Sequence, residues 1–177
     1  MGWPDSNGGE KSMTAREAVE AGRARLETLT PLSADCGRLC DAACCRDLEG
    51  EETGMLLFPG EEEAYRYLPG WKVRETALGS MVICPGTCAR EMRPLSCRIF
   101  PLLPVLREGK VKVAMDQRAG AVCPLYREGL KSLSEDFRLA VRETGEALAK
   151  SEEGRAILER LTEQNDELKR MRSAFGA

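Results

Sequence analysis

Apolar positions along the chain form periodic helical stretches near both ends and lose any long period in the middle. Thr14 and Glu17 have the offset of a capping box, and Ala15, Val19, Leu26 and Leu29 share one helical face. That pattern predicts a helix over 14–29, stopped at Thr30-Pro31. Gly22 sits on the same face, where it costs about 1 kcal/mol against alanine. Near the other end, Ser132 and Glu135 repeat the capping-box offset, and Leu133, Phe137, Val141, Thr144 and Leu148 mark one face. Ser151 is placed to cap a third helix, with Ile157, Leu161, Leu168, Met171 and Phe175 as its stripe. The polar run "TEQNDELKR" in that helix predicts that it protrudes, which opens a role in self-association, and the C-terminal helices are the expected surface for a protein partner.

Between these ends the elements are short. "GMLLFPG" (Gly54–Gly60) reads as a buried strand closed by a Pro-Gly turn, and "EEEAYRYL" as one or two helical turns with acids at the positive end. Trp71–Glu75 is matched to Met81–Cys84 across "TALGS", and Leu102–Leu106 to Val111–Met115 across "REGK". Prolines at 85, 94, 101, 104 and 124 prevent anything longer. The predicted class is therefore α+β: helices at both ends around an irregular cysteine-rich centre with short β-hairpins. Residues 1–13, rich in Gly, Ser and charge, are expected to be a disordered tail. Residues 14–128 would form the cysteine-cluster domain with its N-terminal helix, and 129–177 a C-terminal helical segment.

Charge and length narrow the function. At 177 residues, the chain suits one domain better than two. A net charge of -3 argues against nucleic acid as a partner, because phosphate neutralisation needs clustered Lys and Arg. No apolar run approaches the roughly 20 residues of a membrane span. The first residues lack the basic-then-apolar pattern of a secretory signal, so the expected compartment is the cytoplasm, where structural disulfides are rare.

The cysteines change the picture most. All eight lie between Cys36 and Cys123, four of them in "CGRLCDAACC", and the chain has no histidine. Such a segregated cluster points to a local thiolate site rather than to core filling. Cys36, Cys40 and Cys44 step by four, which on a helix stacks them on one face and turns Cys45 about 100° away. A kinked backbone would instead bring all four inward. Cys84, Cys88, Cys97 and Cys123 follow, beside Pro85-Gly86, Pro94 and Pro124, in backbone irregular enough to donate N–H groups to sulfur.

Without histidine, the metals left are those that accept all-sulfur or sulfur-plus-carboxylate sites: zinc, or the iron of an iron–sulfur cluster. The spacing of Cys36/Cys40 and Cys84/Cys88 suits either. Vicinal Cys44-Cys45 tilts the reading toward a cluster. Arg38, Arg46, Arg90, Arg93 and Arg98 recur beside the cysteines, where guanidinium charge would offset the roughly -2 left by four thiolates on a divalent ion. Arg93 and Arg98 are the candidate cofactor-binding cations. The plainer reading is surface pairing with Asp35, Asp41, Asp47 or Glu91. A nucleophilic-cysteine enzyme lacks its usual histidine base. A radical S-adenosylmethionine enzyme would space its third cysteine differently and need a longer chain.

The order Cys36, Cys40, Cys44-Cys45, then Cys84, Cys88, Arg93-Pro94, Cys97-Arg98, Phe100-Pro101 and Cys123 resembles the YkgJ-type cysteine-cluster family. The likeness covers roughly residues 33–128, and "RPLSCRIFP" is its most specific part. It implies a zinc- or iron-chelating domain, and it is similar to part of a flagellin lysine methylase, which would place a metal site near protein modification. This chain departs from the family's C-x2-C-x2-C-C by carrying three residues in both gaps.

Overall fold

The computed structural model describes residues 13–46, 52, 54–86 and 88–175. The expected disordered tail lies outside these residues apart from Met13, which packs against the core. Helix α1 spans Ala15–Arg25 and starts on the predicted capping box: Thr14 Oγ1 accepts the Glu17 N–H at 3.2 Å, and Glu17 accepts the Thr14 N–H at 2.8 Å. It ends four residues before the predicted Leu29. The carbonyls of Leu26, Glu27 and Leu29 turn to Arg90 instead, which donates to all three. A side chain distant in sequence thus takes the carbonyls that a helix end leaves free.

Three antiparallel strands form the first sheet: β1 (Gly54–Leu56), β2 (Lys72–Thr76) and β3 (Gly79–Ile83), in the order β1-β3-β2. Short α3 (Glu62–Arg66) follows β1 and buries Tyr65 against Trp71, with ring centroids 5.2 Å apart. The second hairpin is β4 (Leu102–Arg107) with β5 (Lys110–Met115), pairing Leu103 with Ala114 and Val105 with Lys112. Its two-residue turn, Glu108-Gly109, has positive φ at both positions, the type I′ twist that suits right-handed strands.

Helix α6 (Glu135–Leu148) begins later than its predicted cap. Ser134 is the N-cap, with Oγ facing the Phe137 N–H, whereas Ser132 donates to the Gly129 carbonyl. Leu133, buried and extended, separates the two serines and excludes a helical start at Ser132. Helix α7 (Glu152–Ala174) is capped by Ser151 as expected. Its polar middle does not protrude. Buried Thr162 accepts the Leu106 N–H at 2.9 Å, and buried Asn165 accepts the Gln117 N–H at 2.9 Å. The predicted stripe stops short: Leu168 is half-buried, while Met171 and Phe175 are exposed.

One core joins these parts. Val19 of the first helix and Leu26 at its C-cap join one core with Leu102 and Val105 of the hairpin, Phe137, Val141 and Leu148 of α6, and Ile157, Leu158 and Leu161 of α7. The described residues of the C-terminal segment, 129–175, therefore share a core with the N-terminal helix. Fully burying each such side chain contributes about 1.5–3 kcal/mol. The fold is α+β, with helices at both ends and short antiparallel hairpins. Among the described residues, no helix is long and apolar enough to cross a membrane.

Candidate thiolate site

The cysteine decad is not one helix. Helix α2 covers only Gly37–Cys40, then Asp41 and Ala42 both take left-handed backbone angles (φ 50° and 52°), and a tight turn carries Ala43–Cys45. Consecutive non-glycine residues in that region are uncommon and need outside support. Arg46 supplies it: Nε donates to the Asp41 carbonyl at 3.0 Å, and Nη2 donates to the Cys40 carbonyl at 3.2 Å and the Asp41 carboxylate at 2.7 Å. The break turns the chain between Cys40 and Cys44. The surface-pair reading holds for Arg46 with Asp41.

The second group stands on firmer supports. Cys84 follows β3, and Cys88 comes after a turn in which Gly86 has φ 84°. A Cβ on Gly86 would lie 3.4 Å from the Cys45 carbonyl, so the two cysteine segments approach closely there. Cys97 rides on α4 (Leu95–Ile99), whose start is bonded by the Pro94 carbonyl accepting the Cys97 and Arg98 N–H groups. Cys123 follows the 3-10 turn Gln117–Ala121 and precedes α5 (Leu125–Glu128).

Cys44, Cys45, Cys84, Cys88 and Cys97 line a cavity of about 190 Å³ together with Arg93. Its apolar walls include Trp71 and Phe100. Phe100 belongs to the motif around Cys97 that carries the family resemblance, whereas Trp71 enters the sequence reading only as the start of a strand. Nothing local marks Trp71 as part of a site. A broader groove of about 1020 Å³ between β5 and α6 contains no cysteine.

The two candidate arginines separate. The Arg93 side chain lines the cavity facing Cys88, and its buried Nε has no hydrogen-bond partner among the described residues. Arg98 does not line the cavity. Its buried guanidinium pairs with Glu27 and donates to the carbonyls of Arg23, Glu91 and Arg93. Together Arg98 and Arg90 place two cations at the C-terminus of α1, where the helix dipole favours them.

Electrostatics keeps most of the thiols protonated. Burial, then Cys88 and Cys45, push Cys97 far above the usual thiol range. Burial likewise raises Cys88 against the opposing pull of Arg93, and raises Cys36, which Cys123 and Cys40 raise further. The sulfurs of Cys44 and Cys45 are 4.0 Å apart, and the hydrogen bond between them draws Cys44 down while sending Cys45 up. A ligand that takes these sulfurs as thiolates must displace protons.

Which group fits? Zinc–sulfur bonds of about 2.3 Å set tetrahedral sulfurs about 3.8 Å apart, leaving no free space between them. Cys44 and Cys45 are near that separation. Among the described residues, however, no three Cys, Asp or Glu side chains gather tightly enough to hold one ion. The thiols surround a space many times what a single water needs, with a buried guanidinium N–H unsatisfied at its wall. That arrangement fits a polyatomic anionic group better than a lone ion.

No family model, curated protein or solved structure matches this chain.

Proposed function

We propose that this protein binds an iron–sulfur cluster through its cysteine thiolates, with Arg93 offsetting the cluster's negative charge. The observation that carries the reading is the cavity of about 190 Å³ ringed by Cys44, Cys45, Cys84, Cys88 and Cys97. Its size favours a cluster, and its sulfur-only donor set suits iron held by thiolates. The apolar wall of Trp71 and Phe100 would keep water from the bound group. A cluster in such a site supplies one-electron redox chemistry. This reading agrees with what the YkgJ-type resemblance implies. It leaves protein modification as the wider setting, with no residue assigned to it.

Zinc is the second reading, favoured by the 4.0 Å Cys44–Cys45 separation. The protein would then be a structural module whose metal orders the cysteine segment, and its C-terminal helices would meet a partner through exposed Met171 and Phe175. Protein purified without air, assayed for iron, zinc and acid-labile sulfide, decides between them. Iron with matching sulfide and a broad violet absorption supports the cluster. Colourless protein carrying zinc alone overturns it in favour of the module.

A further inference from the structure

We propose that the groove between β5 and α6 binds an extended, acidic segment of a partner protein, which adds to β5 as a further strand. The proposal is independent of the thiolate site, because no cysteine lines this groove.

The hairpin leaves β5 with a free edge. Arg107 and Lys110 form the first pair beyond the two-residue turn, and hydrogen-bonded and non-hydrogen-bonded pairs alternate from there. Val105 and Leu103 therefore exchange bonds with Lys112 and Ala114, while Leu106–Val111 and Pro104–Val113 do not. Two facts agree with that phase: the Leu106 N–H goes to Thr162 at 2.9 Å, and Pro104 has no N–H to give. The N–H and C=O groups of Val111 and Val113 thus point away from β4. Among the described residues they have no other hydrogen-bond partner.

The groove exposes this edge rather than one face of the strand. Lys110 and Lys112 stand on one face and Val111 and Val113 on the other, yet all four line it. On the valine side α6 packs closely, since a Cβ on Gly145 would lie 2.8 Å from Val111 Cγ1. An added strand would lay one row of side chains beside Lys110 and Lys112 and the other row against α6. Its main chain would bond to Val111 and Val113, which is how strand addition gains affinity.

Charge selects the occupant. In a chain of net charge -3, Lys110, Lys112, Arg138 and Lys150 line the groove with no ion pair among the described residues. The buried Nε of Arg138 also lacks a hydrogen-bond partner. The groove's acids are Glu135 and Glu146, and Arg142 already engages Glu146 at 3.6 Å. Carboxylates at alternate positions of an added strand would meet Lys110 and Lys112 as cross-strand pairs. A second copy of this chain does not suit the edge. Antiparallel pairing of two β5 strands about Lys112 sets like charges opposite each other, the usual way lysine keeps sheet edges apart.

The test is fluorescence anisotropy of the full chain with a labelled peptide of alternating Glu and Val. Three comparison probes are the same peptide methylated at every backbone nitrogen, a Lys-Val counterpart and a deoxythymidine oligonucleotide. Wild type should bind the Glu-Val peptide best, and less tightly as salt rises. Lys110→Glu/Lys112→Glu should weaken that binding about tenfold or more. Val113→Pro removes an outward N–H and no bond to β4, so it should weaken binding comparably while circular dichroism stays unchanged. Undiminished binding of the methylated peptide to wild type would mean attraction by charge alone and overturns strand addition, whether or not the variants fold. No binding of the Glu-Val peptide, equal binding of the Lys-Val peptide, or tighter binding of the oligonucleotide also overturns the proposal. So does a dimer in sedimentation that Val113→Pro dissolves, which would give the edge to a second copy.

Discussion

The carboxylate of Glu61 accepts the backbone N–H of Leu95 at 2.9 Å and, through its other oxygen, that of Phe58 at 2.9 Å. One buried side chain thereby ties the loop after β1 to the first residue of the helix carrying Cys97. Arg23 lies 3.9 Å from the same carboxylate. Glu61 holds the Cys97 wall of the cavity in place without lining it.

Replacing Glu61 should loosen that wall. Glu61→Gln offers one acceptor oxygen where two are used, so one buried N–H loses its partner at a cost of about 1–3 kcal/mol. Burial raises the Glu61 carboxyl above its ordinary value despite the two N–H bonds and Arg23. A raised folded value means its contribution is fully present below the ordinary carboxyl range and is lost as pH rises through the folded value. Glutamine has no such dependence. Urea midpoints of both proteins at about pH 4.5 and pH 8 should show the gap between them narrowing as pH rises. A gap that widens would contradict this account.

Gly22 is a packing residue. A Cβ there would run into Thr144 Cγ2 and lie 3.3 Å from Leu95 Cδ1, so glycine permits α1 to touch α6. Gly22→Ala gains about 1 kcal/mol of helix propensity but should lose about 1–3 kcal/mol to overpacking. Thr144→Ser removes the obstructing methyl and keeps a hydroxyl able to donate to the Ala140 carbonyl. The double variant should therefore be more stable than Gly22→Ala alone, by urea midpoint. If alanine stabilises on its own, the close approach is not what selects glycine.

Gly22 also shows what could be read from sequence. Its propensity cost is local and visible, but the Thr144 methyl that explains it is 122 residues away. The same division runs through the fold. Thr14 with Glu17 and the β4–β5 hairpin were legible because their partners are neighbours in the chain. Polar Thr162 and Asn165 suggested a solvent-facing helix, because the N–H groups they serve belong to distant residues. The cysteines announced thiolate chemistry by type and spacing. The position of Cys44 and Cys45 at the cavity depends on the left-handed turn at Asp41-Ala42, a conformation Asp tolerates but that no propensity of alanine predicts.

Arg98 tests whether a cation beside a cysteine acts on the cofactor or on the fold. Its side chain is only 2% exposed and ties the Arg23 carbonyl and the Glu27 carboxylate at the end of α1 to the carbonyls of Glu91 and Arg93. Arg98→Ala should cost about 2–3 kcal/mol, as expected for lost hydrogen bonds to a charged group. Arg98→Lys should restore only part, since an ammonium cannot span the same fork of acceptors. The visible spectrum of folded, metal-loaded Arg98→Lys should match wild type, whereas Arg93→Gln should shift it. A shift with Arg98→Lys of equal size would place Arg98 at the cofactor.

Metal removal should act first on the segment that the core holds least. Between Cys36 and Cys45 no side chain is buried, and Arg38 is exposed. Leu102, Phe137, Leu148 and Leu158 are buried in a core that needs no thiolate. Metal binding energy is folding energy only for the parts the metal orders. A chelator or mild acid should therefore open residues 36–46 to trypsin at Arg38, raising the cleavage rate roughly tenfold or more, while α6 and α7 stay intact. Mild acid acts in the same direction as a chelator because the raised thiols of Cys36, Cys45, Cys88 and Cys97 bind protons in competition with metal. Mass spectrometry of the fragments gives the order of cutting. Cleavage at Arg38 that is indifferent to metal would mean the thiolates do not organise this segment. Simultaneous digestion of α6 and α7 would mean the metal supports the whole fold.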